Sequence, residues 1–239
     1  MATGSEGYND RLFRGVIRSR LHNARFHFMR EALADIPYRS VFELGCFDGR
    51  SIGALPHLPE TYIGADAGWE GGLDQARINW PQYKFIQAVK ASDLADVPEV
   101  DISICMETLE HVPPQEVGPY LDMLQRVTRK ALIVTVPVEF GPAFLAKRLV
   151  KKARPHLLGE FDSEFHSYTF KEVLGATIGK TSWVKRGEHK GFDYRNLSAE
   201  LAKRFDIKTA EGHPFSLIPG WMNFGFGFVC LRKAASASA

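Results

Sequence analysis

A carboxylate and two glycines follow an apolar, strand-like segment near the start of the sequence. The segment VFELGCFDGRS, residues 41–51, places Glu43 two residues before Gly45 and a second glycine at Gly49. A turn that binds a dinucleotide has the spacing G-x-G-x-x-G, in which the middle glycine lets a pyrophosphate approach the backbone. Phe47 stands at that middle position, and the carboxylate of Glu43 would repel a pyrophosphate. The turn therefore favours a ligand with a cationic group and counts against NAD or FAD. The alternatives are a plain tight turn and a partly buried Glu43 paired with an arginine.

Two further segments end in acidic residues where a buried strand would stop. Asp66 ends the segment TYIGADA, 21 residues after Gly45, and a carboxylate there can accept hydrogen bonds from both hydroxyls of a ribose. Aspartate is also common at such strand ends. Asp66 therefore indicates a binding site only because it follows the glycine turn at this distance. The segment DISICMETLEHVPP places Glu107, Glu110 and His111 after another buried strand.

Histidine is the side chain best suited to accept a proton near neutral pH. His166, in EFHSYTF, and His111 are the first candidates for a general base, His189 is the next, and His213, in EGHPFS, is a further possibility. Each could instead make a structural hydrogen bond. An acidic loop over the site is favoured over a metal site for the neighbouring oxygen-bearing side chains, and no metal is predicted; these residues are Glu160, Asp162 and Glu164.

Alternating strands and helices must position these residues. Near-continuous apolar strands separated by helical patterns predict a doubly wound, mostly parallel sheet with crossover helices. The predicted strands are 40–46, 61–67, 83–89, 101–107 and 131–138, and the predicted helices are 49–55, 72–80 and 114–129. Two later strands, 204–212 and 221–233, are expected to close a seven-stranded α/β sheet as an antiparallel pair.

The remaining segments surround this core. We expect a single domain over 1–239, with N-terminal helices in 8–35, a binding core in 39–137, a substrate-covering region with the last helices in 138–220, and a closing strand in 221–233. A helix is predicted for 168–179, with Thr169 as its N-cap and Glu172 three residues later.

Composition sets outer limits on function. Hydrophobic residues make up 45% and charged residues 24% of the 239 residues, as in ordinary globular proteins. A net charge of +2 gives no argument for nucleic-acid binding. The start of the sequence has no apolar signal region, and no run of about 18 apolar residues predicts a membrane span. Three widely spaced cysteines predict neither disulfides nor a metal motif and suit a reducing cytoplasm; they are Cys46, Cys105 and Cys230.

Over residues 39–137 the chain resembles the class I S-adenosylmethionine-dependent methyltransferases. FELGCFDG matches their glycine motif, YIGADAG their second motif, and the E-x-L-E-H of residues 107–111 is the most specific match. The resemblance implies a Rossmann-like fold, S-adenosylmethionine as cofactor, and cofactor contacts from Glu43, Gly45, Cys46, Phe47, Gly49, Asp66, Ala67, Ala91, Ser92, Met106 and Glu107.

The chain departs from that family at two points. Phe47 replaces a glycine of the first motif. Lys90 falls where many relatives place an acid that contacts the adenine amine, unless Ser92 and Asp93 take that role. The resemblance is therefore stronger for the ribose and methionine parts of the pocket than for the adenine part.

A looser resemblance concerns the methyl acceptor. HSYTF followed by HKGFDYR is similar to methyltransferases that modify sugars of bacterial surface polysaccharides. Trp183, Tyr168 and Phe192 beside Arg195 would suit a sugar or another polar ring. O-methylation of a sugar or glycan hydroxyl is the implied activity. A quinone-type or secondary-metabolite methyltransferase, an NAD-dependent enzyme and a non-catalytic interaction domain are the alternatives.

Two other segments invite a function. Residues 142–154 form a basic helical stretch that is either a solvated helix face or a patch for an anionic substrate or a lipid surface, with Lys147, Arg148, Lys151, Lys152 and Arg154 as its basic residues. GATIGKTS resembles a phosphate-binding loop, but Gly175 and Gly179 are one residue too close for that motif.

Overall fold

Seven strands form one sheet in the computed structural model, which describes residues 16–153, 168–187 and 190–233, without the side chains of 16–21 and 151–153. The strands are β1 Ser40–Leu44, β2 Thr61–Asp66, β3 Lys84–Gln87, β4 Val100–Met106, β5 Thr128–Pro137, β6 Phe205–His213 and β7 Gly225–Arg232. Their order is β3-β2-β1-β4-β5-β7-β6. β1 to β5 are parallel, and β7 pairs antiparallel with both β5 and β6. The predicted doubly wound sheet with an antiparallel final pair is confirmed.

Six α-helices lie in the described part of the chain. They are α1 Val16–Leu33, α2 Gly72–Asn79, α3 Pro114–Val127, α4 Pro142–Ala153, α5 Phe170–Thr177 and α6 Tyr194–Arg204. The predicted N-cap of α5 is confirmed, because the Thr169 hydroxyl accepts the N–H of Glu172 while the Glu172 carboxylate accepts the N–H of Thr169. α6 was not among the predicted helices, although Asp193 caps it by accepting the N–H of Arg195 at 2.9 Å.

Two helix predictions need correction. The predicted helix 49–55 is only a single 3₁₀ turn, Ile52–Ala54. Two glycines and a following proline leave too few good helix formers there to repay the cost of nucleation. The predicted helix 114–129 ends at Val127, because Thr128 begins β5 and its hydroxyl contacts the Leu124 carbonyl oxygen at 2.6 Å.

The two faces of the sheet bury separate cores. Every residue of β4 is buried, which explains its mainly apolar sequence, interrupted only by Asp101 and Ser103. On one face, α3 and α6 cover the sheet; this core includes Phe42, Leu44, Cys105, Leu121, Leu124, Leu132, Val134, Leu201 and Phe228. On the other face, α1 packs on the central strands; this core includes Phe28, Met29, Leu33, Val41, Ile102, Ile104, Ile133 and Val229.

The direction of α1 matters for the site. Leu33 ends the helix, and the chain then passes directly to Ser40 at the amino end of β1. The earlier residues of α1, including Arg25, therefore lie toward the carboxyl edge of the sheet. Open α/β sheets bind their ligands at that edge.

The basic stretch 142–154 forms α4 as far as Ala153, and only part of it is a free cationic face. Lys147 Nζ donates to the Val138 carbonyl oxygen at 3.1 Å and lies 3.6 Å from the Glu139 carboxylate. Arg148 lies over the Tyr168 ring. The side chains of Lys151, Lys152 and Arg154 lie outside the described residues. Over the described ranges, no helix combines the length and apolar character needed to cross a bilayer.

The three cysteines are buried, free thiols. Burial raises the pKa of each, most strongly for Cys46 and Cys105, which also face nearby carboxylates. Since the thiolate is the reactive form, these residues act as core side chains and not as nucleophiles.

Candidate functional site

The carboxyl ends of β1, β2 and β4 bring the predicted binding residues to one edge of the sheet. Leu44 pairs with Ala65 of β2 and with Cys105 of β4, so the residues that follow these strands emerge side by side. Gly45, Asp66 and Glu107 are those residues. The three residues are far apart in the sequence, but the pairing of β1 with β2 and β4 brings them together.

The glycine turn after β1 approaches the turn after β4 closely. Gly45 has a φ of +78°, and a Cβ at this position would overlap the Thr108 hydroxyl. That hydroxyl donates to the Met106 carbonyl oxygen at 2.9 Å and contacts that of Leu44 at 3.3 Å. Only glycine fits this point without moving a neighbour, which confirms a tight turn with a close backbone approach.

Asp66 holds the backbone of two loops. Its Oδ2 accepts the N–H of Phe47 at 3.1 Å, and its Oδ1 accepts the N–H of Gly68 at 2.8 Å. Each carboxylate oxygen has a second lone pair, so Asp66 retains the capacity to accept hydroxyl donors. The side chain is partly exposed, as a ligand-binding residue requires.

Phe47 adopts a backbone conformation that usually belongs to glycine. Its φ is +44°, and its ring packs over Gly72 at the start of α2, where a Cβ would overlap the ring. The ring also lies 6.3 Å from Trp69, centroid to centroid. Phe47 stands where the motif has a glycine, and its ring is accommodated because Gly72 has no side chain.

Glu43 is enclosed beneath the turn. It is 2% exposed, and its Oε2 accepts hydrogen bonds from the hydroxyls of Ser51 and Tyr62. Burial raises its pKa to about 7, against the lowering effects of these two hydroxyls and of Arg25. Both hydroxyls occupy the same carboxyl oxygen, Oε2. Arg25 acts on Glu43 as a nearby charge, and within the described residues no ion pair joins the two side chains, unlike the alternative of a carboxylate paired with an arginine.

The other predicted cofactor residues differ in what they present to a ligand. Cys46 and Met106 are buried in the core, so only their backbone atoms are available at the edge. Ala67 and Ser92 are exposed, and Ala91 is partly exposed.

The turn Ala91–Leu94 follows β3 and contains two of the predicted cofactor residues, Ala91 and Ser92. Here the Asp93 carboxylate accepts the N–H groups of Val89 and Lys90, both at 2.9 Å. Asp93 thus stabilises the turn through hydrogen bonds to its own backbone, and the side chains of Lys90 and Ser92 lie at the surface.

The turn after β4 holds two glutamates in different states. Glu107, with a φ of +51°, accepts the Thr135 hydroxyl at 3.0 Å. Glu110 is 0% exposed, and neither of its carboxyl oxygens has a hydrogen-bond partner within the described ranges. Burial first, and then the charge of Glu107, raise the pKa of Glu110 well above its usual value, which favours the neutral acid.

Of the three predicted bases, His111 lies among the described residues. His111 is exposed in the turn after β4, while His166 and His189 lie outside the described residues. The cluster of Glu160, Asp162, Glu164 and His166 is also outside them. Over residues 16–153, 168–187 and 190–233, no three His, Cys, Asp or Glu side chains are arranged to hold a metal ion.

His213 is the buried histidine of this edge. It ends β6, is 8% exposed, and neither ring nitrogen has a partner among the described residues. Its ring covers Gly225, where a Cβ would overlap it, and lies 6.0 Å from Phe28 on α1. Burial and Arg25 lower its pKa, while Glu107 raises it. The alternating glycines of the segment GFGF, residues 225–228, are the sequence signal that a bulky group covers this strand.

Some residues singled out for the acceptor support the fold instead. Phe192 is buried beneath the Arg186 guanidinium, 5.0 Å from the ring centroid. Arg195 pairs with Asp193 at 2.6 Å. Trp183 remains 38% exposed, with Lys180 4.9 Å from its ring centroid.

Two surface hollows lie beside the sheet. One of about 500 Å³ is at the amino edge, lined by Tyr38, His57, Asp101 and Arg129 among others, and is remote from the site. The second, of about 790 Å³, is a groove between α1 and the turn Ile52–Ala54, and Arg50 and Pro214 are among the residues that line it. This groove adjoins the end of β6 because Pro214 follows His213.

No protein-family model matches the chain, and no curated protein sequence matches it. Solved structures match its fold. An S-adenosylmethionine-dependent methyltransferase from Clostridium acetobutylicum has a TM-score of 0.61 and 11% identity, with 95% of this chain and 99% of that chain covered. Magnesium protoporphyrin IX methyltransferase from Synechocystis, with bound S-adenosylhomocysteine, has a TM-score of 0.57 and 15% identity, covering 94% and 92%.

A third match is the N-methyltransferase NodS from Bradyrhizobium japonicum, in complex with S-adenosylhomocysteine. Its TM-score is 0.56 and its identity 9%, with 94% of this chain and 96% of that chain covered. The methyl acceptors that these names state or imply differ, so the likeness concerns the architecture. The chain has the class I methyltransferase fold.

Proposed function

Since the chain has the class I methyltransferase fold, we propose that it is an S-adenosylmethionine-dependent methyltransferase. The observation that carries the proposal is the arrangement of Gly45, Phe47 and Asp66. A close backbone turn lies beside a partly exposed carboxylate with unused acceptor capacity, at the edge where such sheets bind ligands.

The residues present fit such a ligand. Asp66 would accept ribose hydroxyls, and the backbone of residues 45–47 would meet the amino-acid end. The unused lone pairs of Asp66 and the close turn at Gly45 support these roles. Glu107 and Asp66 give the edge negative charge, which suits a sulfonium cation and disfavours a pyrophosphate. When bound, S-adenosylmethionine would supply a methyl group on positively charged sulfur.

The chain's own residues would align the acceptor and take up its proton. A nitrogen or thiolate acceptor needs no strong base, whereas a hydroxyl acceptor loses a proton as the new bond forms. General-base catalysis is worth about 10²–10⁴-fold. His111, His166 and His189 remain candidates for that base.

The acceptor that we propose is a hydroxyl of a sugar or glycan. Its support is the looser resemblance of the segments HSYTF and HKGFDYR, together with the exposed ring of Trp183 on the covering region. A quinone-type or secondary-metabolite acceptor is the second candidate.

Contact with a lipid surface through residues 142–154 is a separate proposal for how the protein reaches its acceptor. The exposed Leu149 and Val150 of α4 support it. The inward-turned Lys147 reduces the positive charge available to such a surface.

Calorimetric titration of the purified chain with S-adenosylmethionine, S-adenosylhomocysteine and NAD tests the cofactor. We expect micromolar binding of the first two and none of NAD. NAD binding would favour a dehydrogenase instead. Absence of binding by all three, in a folded sample, would favour a non-catalytic interaction domain.

A further inference from the structure

Three polar side chains at the carboxyl edge have buried groups without partners. They are Arg25 on α1, Glu110 after β4 and His213 at the end of β6. Arg25 Nε, both Glu110 carboxyl oxygens and both His213 ring nitrogens have no hydrogen-bond partner within the described ranges. Buried polar groups are nearly always paired in folded proteins, so several orphans at one edge indicate a site completed by a ligand.

We propose that Arg25, Glu110 and His213 bind the methyl acceptor through its hydroxyl groups, and that His213 accepts the proton released from the methylated hydroxyl. The proposal rests on the proposed function, because it assumes that a methyl donor occupies the neighbouring turns.

The strand order places the three residues together. His213 of β6 pairs with Gly225 of β7, and Gly225 in turn pairs with Pro137 at the end of β5. Thr135 of β5 in turn holds Glu107. His213 is thus separated from Glu107 only by the ends of β7 and β5, and the charge of Glu107 acts on both His213 and Glu110.

α1 brings Arg25 to the same place. Phe28, one turn later in the helix, lies beside the His213 ring and above Gly227. Arg25 is therefore displaced from Phe28 toward the carboxyl edge. Its charge acts on both Glu110 and His213, as expected for a cation near the two side chains.

Two glycines of β7 make room for the cluster, because neither carries a side chain. Gly225 and Gly227 face α1, and a Cβ at either position would overlap the His213 ring or come 2.5 Å from the Phe28 ring. The imidazole therefore lies directly over Gly225, and its position is fixed by packing. Fixed donors and acceptors bind a ligand without a further ordering cost.

The chemistry of the three groups fits a hydroxyl-rich, uncharged ligand. A neutral carboxylic acid both donates and accepts, a neutral imidazole offers one N–H and one bare nitrogen, and a guanidinium donates only. Sugar hydroxyls both donate and accept, so each of these groups would find a partner.

The methyl transfer and the loss of the hydroxyl proton together conserve atoms and electrons. The acceptor oxygen bonds to the methyl carbon, and the carbon–sulfur bond breaks with its electron pair left on sulfur. The hydroxyl proton passes to the unprotonated ring nitrogen of His213. Among the described residues, the charges that act on His213 are Glu107 and Arg25, while Phe28 and Gly225, which pack on it, are uncharged. Burial lowers its pKa, which keeps the ring ready as a base at neutral pH.

The test uses the full chain, with L-rhamnose as the probe. Histidine ring signals are followed by NMR in the presence of S-adenosylhomocysteine, and methyl transfer to L-rhamnose is measured against pH. We compare the wild type with His213→Gln and with His27→Gln, which changes an exposed histidine of α1. Arg25→Gln serves as a second site variant that leaves the packing of His213 intact.

We expect L-rhamnose to shift the His213 signal and leave that of His27 unchanged. His213→Gln should slow transfer by about 100-fold or more, remove the fall in rate at acid pH, and retain S-adenosylhomocysteine affinity. Arg25→Gln should raise KM for L-rhamnose by about tenfold with little change in kcat.

Three results would overturn the inference. His213→Gln with wild-type rate and pH profile would exclude the base. Binding of S-adenosylhomocysteine without any effect of L-rhamnose, in signal or in transfer, would exclude the hydroxyl site and leave the proposed function standing. If S-adenosylhomocysteine does not bind, both the hydroxyl site and the proposed methyltransferase function are contradicted.

Discussion

The backbone N–H of Phe47 donates to the carboxylate of Asp66 at 3.1 Å, so the turn after β1 is fixed by the residue that ends β2. The second carboxylate oxygen fixes Gly68 at 2.8 Å. Asp66 therefore shapes both turns before any ligand arrives. A substitution there changes ligand contacts and loop geometry at once.

Asp66→Ala should weaken S-adenosylhomocysteine binding at least about tenfold, or about 1.4 kcal/mol, since it removes a charged hydrogen-bond partner. Asp66→Asn keeps one acceptor oxygen and should lose less. Calorimetry measures both, with Asp74→Asn as the control because Asp74 pairs only with exposed Arg77 on α2. Unchanged affinity in a folded Asp66→Ala protein would contradict the assignment.

Gly45→Ala should destabilise the protein by more than Gly71→Ala. Both glycines have positive φ, +78° and +73°, so both substitutions carry a backbone cost of about 1–2 kcal/mol. Only at Gly45 does the added methyl group also overlap a neighbour, the Thr108 hydroxyl, whereas nothing lies within 4 Å at Gly71. Urea unfolding of the two variants isolates the steric part, and equal losses would show that Thr108 yields freely.

Glu43→Gln should flatten the dependence of stability on pH. Because the folded pKa is raised from 4.5 to about 7, the folded state holds its proton where the unfolded chain has released it. Stability from this group is therefore full below pH 4.5 and falls as pH rises to about 7, by about 3 kcal/mol in all. The glutamine oxygen can still accept from Ser51 and Tyr62.

Urea unfolding at several pH values between 4.5 and 8 checks this effect, with wild type and Glu43→Gln side by side. Glu110, whose pKa is also raised, contributes in the same direction and remains in both proteins. A wild-type slope retained in full by Glu43→Gln would assign the pH dependence to Glu110.

The same carboxyl bears on ligand affinity. Glu43→Ala should weaken S-adenosylhomocysteine binding at least about tenfold, because it removes the support beneath the turn as well as a negative charge. Glu43→Gln keeps the support and removes only the charge. If the glutamine variant binds as the wild type does, Glu43 acts on the ligand through the shape of the turn.

Asp101→Ala should destabilise the fold by about 2 kcal/mol without changing ligand affinity. Asp101 lies at the amino edge, accepts the Arg39 N–H at 2.7 Å and lies 3.0 Å from Arg129. Burial acts to raise its pKa, but the Arg39 N–H and Lys130, whose Nζ lies 3.3 Å from the carboxylate, lower it overall. The contribution of Asp101 to stability is therefore present above the unfolded pKa and is lost as pH falls. A change in S-adenosylhomocysteine affinity would show that this edge is coupled to the site.

The sheet could be predicted from sequence because its signal is local. The buried strands are mainly apolar, and the acidic or glycine residues at the ends of β1, β2 and β4 mark one edge. The order of the strands follows from the resemblance, and the final antiparallel pair follows from two late β-rich segments. α6 was missed because it begins with mixed residues, and only the Asp193 cap marks its start.

The site was less predictable where distant residues meet. Nothing near Glu43 indicates that Tyr62, on the next strand, would point its hydroxyl at the carboxyl. α1 reaches His213 through Phe28, because the helix crosses the sheet and β7 carries two glycines beneath these rings. Sequence spacing encodes which side chains share a strand face, whereas this cluster depends on the path of a helix over several strands.

The position of β7 has a consequence for the order of folding during synthesis. Residues 225–232 lie between β5 and β6 in the sheet, although both of those strands precede them in the chain. When β6 leaves the ribosome, its partner does not yet exist, and the edge of β5 is still open. The His213 end of the cluster is therefore assembled only after β7 has been synthesised. A chain terminated before residue 225 would keep the glycine turn and Asp66 but present an unpaired β5 to its neighbours, a known route to aggregation.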